Sequence, residues 1–415
     1  MNSIIKAISG LPLTDPVDGG IFIALLLLGA GLVLWGLKKR DVVSLGLALP
    51  VVGAAYLLLK HWDVPLHLFL AGLVPVTALI SLAHHAGRRV LMATVAVFTS
   101  LAVAGLANME YQSYPTVASL DPSPVTQTIS YDQLASYNGR EAGAIVTVDL
   151  PGTTSGFAAR QAIAYLPPAY FAGKDLPVIV LLHGNPGGPE QWFGSGEAAQ
   201  TANTFQQANG GVSPIVVAVD ATGSETANPI CVDSSMGNVM TYLTADVPAG
   251  IKQAFHVDGD QSRWTVGGLS YGGTCTLQIL TNHPEAYGSG IDLSGEAEPT
   301  IGKHQDTVAK FFAGNEDAYQ AVNPAHLITT RTYPTTQVVF IAGQQDSLAT
   351  AALSGLSDAA RRAGMATYYG TRPGGHSFEV WRPGLREAFA WAARRGGLTD
   401  VTDPFDGVQD SDVHL

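Results

Sequence analysis

The sequence predicts an α/β domain, with a mostly parallel sheet of about eight strands and helices on both faces, preceded by four transmembrane helices. Three observations support this fold class. Four apolar runs fall within residues 1–107, and short, nearly continuous apolar segments alternate with potential helices over residues 141–398. A Gly-x-Ser-x-Gly motif directly follows one of these segments. Continuous apolar segments of this kind are typical of strands buried on both faces of a parallel sheet.

The first quarter of the chain contains the four apolar runs. Each has 17 to 20 residues, which at about 1.5 Å per residue comes close to the roughly 30 Å thickness of a bilayer core. Charged residues lie only at the ends of the runs, and Asp15 and Asp18 before the first run do not fit a cleaved signal peptide. The predicted spans are residues 21–37, 42–59, 64–83 and 90–107.

Basic residues are distributed unevenly around these spans. Residues 38–40 (Lys-Lys-Arg) link the first two spans, and Arg88 and Arg89 link the last two, whereas the opposite side has only Lys6 and Lys60. The positive-inside rule places both links in the cytoplasm. The sequence therefore predicts a multi-pass plasma-membrane protein whose C-terminal part is extracytoplasmic.

The charge of that C-terminal part excludes some functions. From residue 108 onward the chain has 15 Lys and Arg against 30 Asp and Glu. Such an acidic surface repels phosphate backbones, so we expect no nucleic-acid partner. Two cysteines and the absence of a metal-type Cys/His spacing predict no metal site, and the sequence indicates no cofactor.

Strand and helix patterns alternate after a predicted linker of residues 108–140. Two early, hairpin-like strands are predicted at residues 143–150 and 160–166. Further strands are predicted at residues 177–183, 214–220, 264–268, 288–293, 337–343 and 366–371, with helices at 274–283, 349–363 and 383–395. The domain is predicted to span residues 141–398, followed by an acidic tail of residues 399–415. This alternation is typical of an α/β sheet.

The segment Gly268-Leu-Ser-Tyr-Gly272 matches a nucleophile elbow. The motif alone has a high false-positive rate. Here, however, Ser270 directly follows an apolar strand and precedes a predicted helix, and the small flanking residues let strand and helix approach closely. The helix N-terminus also favours negative charge at this point. Ser270 is therefore the predicted nucleophile.

A serine hydroxyl needs a base, and in this arrangement the acid and the histidine follow the serine along the chain. Asp346 lies at the end of one strand and His376 in a Gly-rich loop after the next. Taken singly, each has an ordinary alternative, a helix cap for Asp346 and a merely exposed side chain for His376. Glu296, with its neighbour Asp292, is the reserve candidate for the acid.

Acyl transfer also requires hydrogen-bond donors for the developing oxyanion. One predicted donor is the backbone N–H of Tyr271, immediately after the nucleophile. The other is the backbone N–H of Asn185, in the Gly-rich loop that follows an early strand.

The two cysteines, Cys231 and Cys275, are predicted to lie at the same edge of the sheet. A disulfide between them would close a loop of about 45 residues and contribute about 3–4 kcal/mol on the chain-entropy model. An oxidising exterior favours the bond. Two buried free thiols are the alternative.

These motifs together resemble one branch of the α/β-hydrolases. The stretches GLSYGGTC, LLHGNPGGPEQW and GGHSFEVW, with the strand-end Asp346, are similar to esterase D and to the antigen 85 mycolyltransferases over roughly residues 140–398. The resemblance implies Ser270, Asp346 and His376 as the triad, with the Asn185 and Tyr271 amides as the oxyanion hole.

Two departures from antigen 85 favour esterase D. Antigen 85 enzymes have an Asp-Gly pair where this chain has His183-Gly184, and a glutamate where it has Asp346. Both departures argue against mycolyl transfer.

The predicted function is a membrane-anchored, outward-facing serine esterase that acts on an acylated lipid or glycolipid of the cell envelope. An acyltransferase that passes the acyl group to a sugar hydroxyl is the alternative. A non-catalytic binding protein and a peptidase are the remaining hypotheses. Residues 299–332, polar with scattered aromatic residues, are predicted to cap the pocket.

Overall fold

A computed structural model of the protein describes residues 8–35, 39–59, 64–84, 86–121, 124–398, 401–402 and 405. The chain forms two compact units, Met1–Pro122 and Ser123–Leu415. Most of the predicted acidic tail, residues 399–415, lies outside the described residues.

The N-terminal unit contains four long apolar helices, as the sequence predicts. Each is long and apolar enough to cross a membrane, and at most 28% of each span is buried within the protein. The helices are α1 (Pro16–Leu34), α2 (Lys39–Leu59), α3 (Leu66–His84) and α4 (Arg89–Tyr111). Helix α1 begins before the predicted span because Pro16 suits the first helical position and the Asp18 carboxylate is favourable in the first turn.

Close packing joins α1 to α4. A side chain at Gly29 would meet Thr99, and one at Gly105 would overlap the ring of Phe22. Small residues at such crossings let helix backbones approach within a membrane, where packing rather than the hydrophobic effect drives association.

The C-terminal unit is built around a nine-stranded sheet in the order β1-β2-β3-β5-β4-β8-β9-β10-β11. The strands of the unit are β1 (Thr128–Ser130), β2 (Ala144–Val148), β3 (Ala162–Leu166), β4 (Val178–Leu182), β5 (Ile215–Val219), β6 (Asp233–Ser234), β7 (Gly237–Asn238), β8 (Thr265–Leu269), β9 (Ser289–Leu293), β10 (Gln337–Gly343) and β11 (Ala366–Arg372). Strand β3 pairs antiparallel with β2 and β5, and the other pairs in this sheet are parallel.

All eight predicted strands are present, and the structure adds elements that the sequence analysis missed. Strand β1 lies within the predicted linker of residues 108–140, and β6 pairs with β7 in a two-residue hairpin. Only the central residue of β1 is buried, so this strand has no apolar run that could reveal it.

Helices cover both faces of the sheet. Their bounds are α5 (Pro168–Phe171), α6 (Glu190–Phe193), α7 (Ala198–Ala208), α8 (Val239–Thr241), α9 (Val247–Ala254), α10 (Tyr271–Asn282), α11 (His304–Phe312), α12 (Glu316–Gln320), α13 (Pro324–Thr330), α14 (Ser347–Arg362) and α15 (Phe378–Arg395). Helices α9, α10 and α14 contribute to the larger hydrophobic core, and α7 and α15 to the core on the other face. The predicted cap, residues 299–332, contains α11, α12 and α13.

Strand β4 shows why its sequence is apolar at every position. Val178, Val180 and Leu182 pack in the larger core, whereas Ile179 and Leu181 pack in the core on the opposite face. Since β4, β8, β9, β10 and β11 are mutually parallel, their carboxyl ends meet at one edge of the sheet. The candidate functional residues lie at that edge.

Gly272 in α10 provides a test of how closely this helix must approach the sheet. A Cβ there would overlap the carbonyl oxygen of Leu182, at the end of β4. We expect Gly272→Ala to abolish the folded C-terminal unit or lower its melting temperature sharply, measured by fluorescence on the full-length protein in detergent.

Gly355→Ala is the matched control, because it also lies in a helix and a Cβ there meets open space. This change should stabilise the protein by up to about 1 kcal/mol, the usual gain of alanine over glycine in a helix. Equal destabilisation by the two changes would contradict the close approach at Gly272.

Candidate active site

Ser270 lies at the sharp turn between β8 and α10. Its φ is 54° and its ψ is −117°, a conformation that costs energy for a residue with a side chain. A Cβ on Gly268 would overlap the backbone of Gly272, so glycine at this position lets strand and helix meet. The Ser270 N–H donates to the carbonyl oxygen of Leu293 at 2.8 Å. This is the geometry of a nucleophile elbow.

The structure brings Ser270, His376 and Asp346 together in one hydrogen-bonded chain. The Nε2 of His376 is 2.8 Å from the Ser270 Oγ, and its Nδ1 is 2.6 Å from the Asp346 Oδ2. A carboxylate only accepts, so Nδ1–H donates to Asp346 and Nε2 is free to accept the serine proton. Burial raises the pKa of Asp346, but the hydrogen bond with His376 outweighs it and lowers this pKa below its usual value.

Contacts with backbone groups hold Asp346 and the loop of His376 in place. The Asp346 Oδ1 accepts the Ala349 N–H at 3.1 Å and so caps α14. The Gln345 N–H donates to the Gly374 carbonyl at 3.0 Å, while the Gly374 N–H donates to the Gln345 side chain. The loops that carry Asp346 and His376 are therefore joined directly.

The reserve acids occupy other positions. The carboxyl of Asp292 is fully buried, and its Oδ1 accepts the Gly295 N–H at 2.8 Å. Burial raises the pKa of Asp292 to about 7. The Glu296 N–H donates to the Thr274 hydroxyl at 2.9 Å. The carboxylate that contacts the Nδ1 of His376 is that of Asp346, not that of Asp292 or Glu296.

The backbone around the two predicted oxyanion donors, Tyr271 and Asn185, can be followed in the structure. Tyr271 is the first residue of α10, so its N–H has no acceptor within the helix. A Cβ on Gly184 would lie 3.7 Å from the Ser270 Cβ, which puts the backbone before Asn185 against the nucleophile. The Gly184 N–H is already used by the Oε1 of Gln191 at 3.0 Å.

A buried polar cluster beside this loop was missed by the sequence analysis. Asp220 follows β5, and its carboxylate accepts the Arg160 N–H at 2.8 Å and Arg160 Nη2 at 2.8 Å. The Nε2 of His183 lies 3.2 Å from the Asp220 Oδ1. Burial raises the pKa of Asp220, but its hydrogen bonds with His183 and Arg160 hold it well below its usual range. The sequence did contain one signal for this cluster, because His183 and Asp220 each directly follow a buried strand.

Cys231 and Cys275 form a disulfide, with their Cα atoms 5.6 Å apart. The bond joins the loop after β5 to the second turn of α10. The hydroxyl of Tyr271 adds a polar link, because it accepts the Cys231 N–H at 3.1 Å and donates to the Ala221 carbonyl at 3.0 Å. The start of α10 is thus tied at two points to the loop that follows β5.

Comparisons with known proteins identify the family of the chain. Residues 158–392 match the family model described as "Putative esterase", and the chain belongs to this esterase family. An uncharacterized protein of Corynebacterium glutamicum is 50% identical over 353 residues, which cover 80% of this chain and 83% of that protein. The matched part of this chain is longer than the C-terminal unit, so the similarity extends into the N-terminal unit.

Two solved structures show the same fold. A ferulic acid esterase is 18% identical with a TM-score of 0.54, covering 61% of this chain and 98% of that chain. An S-formylglutathione hydrolase from Agrobacterium tumefaciens is 18% identical with a TM-score of 0.51, and the match covers 60% of this chain and 94% of that chain. The predicted α/β-hydrolase fold is confirmed, and the family match confirms the resemblance to esterases. The protein is a serine esterase-type hydrolase, an enzyme that acts on carboxylic esters.

The buried carboxyl of Asp292 gives a pH-dependent prediction. Its pKa in the folded protein is about 7, whereas an unfolded aspartate ionises near about pH 4. Between these values the unfolded state loses a proton that the folded state keeps, so stability falls as the pH rises through this window.

Asp292→Asn removes this titration and keeps the acceptor for Gly295. We expect the melting temperature of the variant, relative to the unchanged protein, to increase from pH 4 to pH 7 and then stay constant. Thermal unfolding of the full-length protein in detergent at several pH values measures this difference. If the melting temperatures of the two proteins differed by the same amount at pH 4 and at pH 8, the raised pKa of Asp292 would be contradicted.

Proposed function

We propose that the protein is a membrane-anchored esterase that works on the outer side of the plasma membrane, with Ser270 as its nucleophile. The observation that carries the proposal is the hydrogen-bonded chain from Asp346 through His376 to Ser270 at a strained turn. Membership of the esterase family supports it.

The reaction follows from the positions of the protons. His376 Nε2 takes the Ser270 hydroxyl proton as Oγ attacks the ester carbonyl, and Asp346 stabilises the resulting imidazolium. The N–H groups of Asn185 and Tyr271 donate to the oxyanion of the tetrahedral intermediate. His376 then protonates the departing alcohol, leaving an acyl-enzyme. Water, deprotonated by His376, attacks this acyl group, and His376 then returns the proton to the Ser270 oxygen as the acid leaves.

The proposed substrate is an acylated lipid or glycolipid of the cell envelope. The support is the N-terminal unit, whose four helices would keep the catalytic unit at a membrane surface. Residues 38–40, Arg88 and Arg89 support an orientation in which the catalytic unit faces outward.

The catalytic assignment is tested with a fluorophosphonate probe and a p-nitrophenyl ester. We expect the full-length protein to be labelled and to hydrolyse the ester, and Ser270→Ala to lose labelling and at least about 10³-fold in kcat. Ser136→Ala, a change of an exposed serine elsewhere in the C-terminal unit, should behave like the unchanged protein. Equal labelling of the Ser270 variant would refute the assignment. A matched amide substrate that is turned over as fast as the ester would indicate a peptidase.

The fate of the acyl group is measured with an acylated trehalose lipid. Hydrolysis predicts free fatty acid as the product at all concentrations of added trehalose. An acyl group found mainly on the added sugar would show that the protein is a transferase.

The orientation predicts that a tag at the C-terminus is removed by protease added to spheroplasts. A tag inserted in the link at residues 38–40 should be protected in the same cells and serves as the control. Protection of the C-terminal tag would place the catalytic unit in the cytoplasm.

A further inference from the structure

The peptide unit between Gly184 and Asn185 links a buried histidine to the candidate oxyanion hole. The Nδ1 of His183 lies 2.7 Å from the Gly184 carbonyl oxygen. A carbonyl oxygen only accepts, so Nδ1 carries a proton and donates it. In a planar trans peptide the C=O and the following N–H point in opposite directions. By holding the Gly184 carbonyl, His183 therefore also fixes the direction of the Asn185 N–H.

The other edge of the His183 ring is held as firmly. Its Nε2 is 3.2 Å from the Asp220 Oδ1 and 3.2 Å from the Ala221 nitrogen, and 3.4 Å from the Arg160 Nη2. The side chains of His183 and Asp220 are both fully buried. Nε2 makes one hydrogen bond at a time, either donating to Asp220 or accepting the Ala221 N–H. In either case the ring cannot rotate away from Gly184 without breaking that bond, which water cannot replace at a buried site.

Arg160 connects this ring to the far end of the same loop. Its Nη2 donates to the Asp220 carboxylate at 2.8 Å and to the Gly187 carbonyl at 2.8 Å. Its positive charge also compensates the buried carboxylate of Asp220, which would otherwise be strongly unfavourable. The guanidinium thus holds Gly187, while His183 holds Gly184.

Other polar groups of the loop have partners of their own. Gln191 accepts the Gly184 N–H at 3.0 Å and donates to the Pro186 carbonyl at 2.8 Å. The side-chain amide of Asn185 donates to the Ala227 carbonyl at 2.8 Å. These bonds occupy the Gly184 N–H and the Asn185 side chain. The backbone N–H of Asn185 belongs to the same peptide unit as the carbonyl that His183 holds.

We propose that His183, Asp220 and Arg160 are positioning residues of the oxyanion hole, which hold the Gly184–Asn185 peptide so that its N–H faces the oxyanion formed at Ser270. The inference rests on the proposed function, in which Ser270 forms a tetrahedral intermediate. The three side chains act through the peptide and do not touch the substrate. Their effect is therefore expected on the transition state more than on substrate binding.

His183→Asn and His183→Gln form a matched pair for the test. The amide nitrogen of asparagine is as many bonds from the Cα as Nδ1 is, so it can still donate to the Gly184 carbonyl. Glutamine places its amide one atom further out, on the side of Nε2. We expect the glutamine variant to lose about 10²-fold to 10³-fold in kcat, the usual effect of an oxyanion donor, with KM nearly unchanged. The asparagine variant should retain activity to within about tenfold.

A trifluoromethyl ketone that forms a tetrahedral adduct with serine reports on the oxyanion hole directly. Across the variants its Ki should rise by the same factor by which kcat/KM falls, because both depend on stabilisation of the oxyanion. All assays use full-length protein in detergent, with active sites counted by complete fluorophosphonate labelling. Equal losses in the two variants, or a Ki that stays constant while kcat falls, would overturn the inference.

Arg160→Lys is a second route to the same result if the His183 variants do not fold. Lysine keeps a charge near Asp220 but lacks the planar fork that bonds Asp220 and Gly187 together. We expect a parallel fall in kcat/KM and rise in Ki, whereas Arg331→Lys, at an exposed arginine, should change neither. An Arg160→Lys variant whose kcat/KM and Ki both equal those of the unchanged protein would overturn the inference. An unchanged protein that hydrolyses no ester would instead refute the proposed function itself.

Discussion

The close contact between β8 and α10 is the constraint on which the rest of the site depends. Ser270 can adopt a positive φ there because its neighbours Gly268 and Gly272 have no side chains to separate strand from helix. The contact costs conformational energy at Ser270, which the surrounding structure must offset. It also places the serine hydroxyl at the N-terminus of α10, where a developing negative charge is favoured.

The surrounding loops offset that cost through bonds to several strands. The disulfide and the Tyr271 hydroxyl join the start of α10 to the segment after β5. The two hydrogen bonds between Gln345 and Gly374 join the loops after β10 and β11. Because parallel strands end at one edge of the sheet, short loops are enough to bring Ser270, His376 and Asp346 together. A rigid sheet thus fixes side chains that are distant in sequence.

Much of the fold could be predicted because its signals are local. An uncharged run of suitable length identifies each long apolar helix of the N-terminal unit, and a continuous apolar run identifies a strand such as β4 that is buried on both faces. Strand β1 was missed because three residues with one buried position give no such signal. The geometry now gives Ser270, Asp346 and His376 direct contacts, while their catalytic roles remain the proposal that the labelling experiment tests.

The sequence by itself determined the class of fold, the apolar helices and the order of Ser270, Asp346 and His376 along the chain. Only the tertiary structure decided which carboxylate meets His376 and that the two cysteines are bonded to each other. It alone revealed how Arg160 and Asp220 hold His183. The physical reason is distance along the chain. Periodicity and composition act over a few residues, whereas His376 contacts groups 30 and 106 positions away, and the order of strands in the sheet sets those contacts.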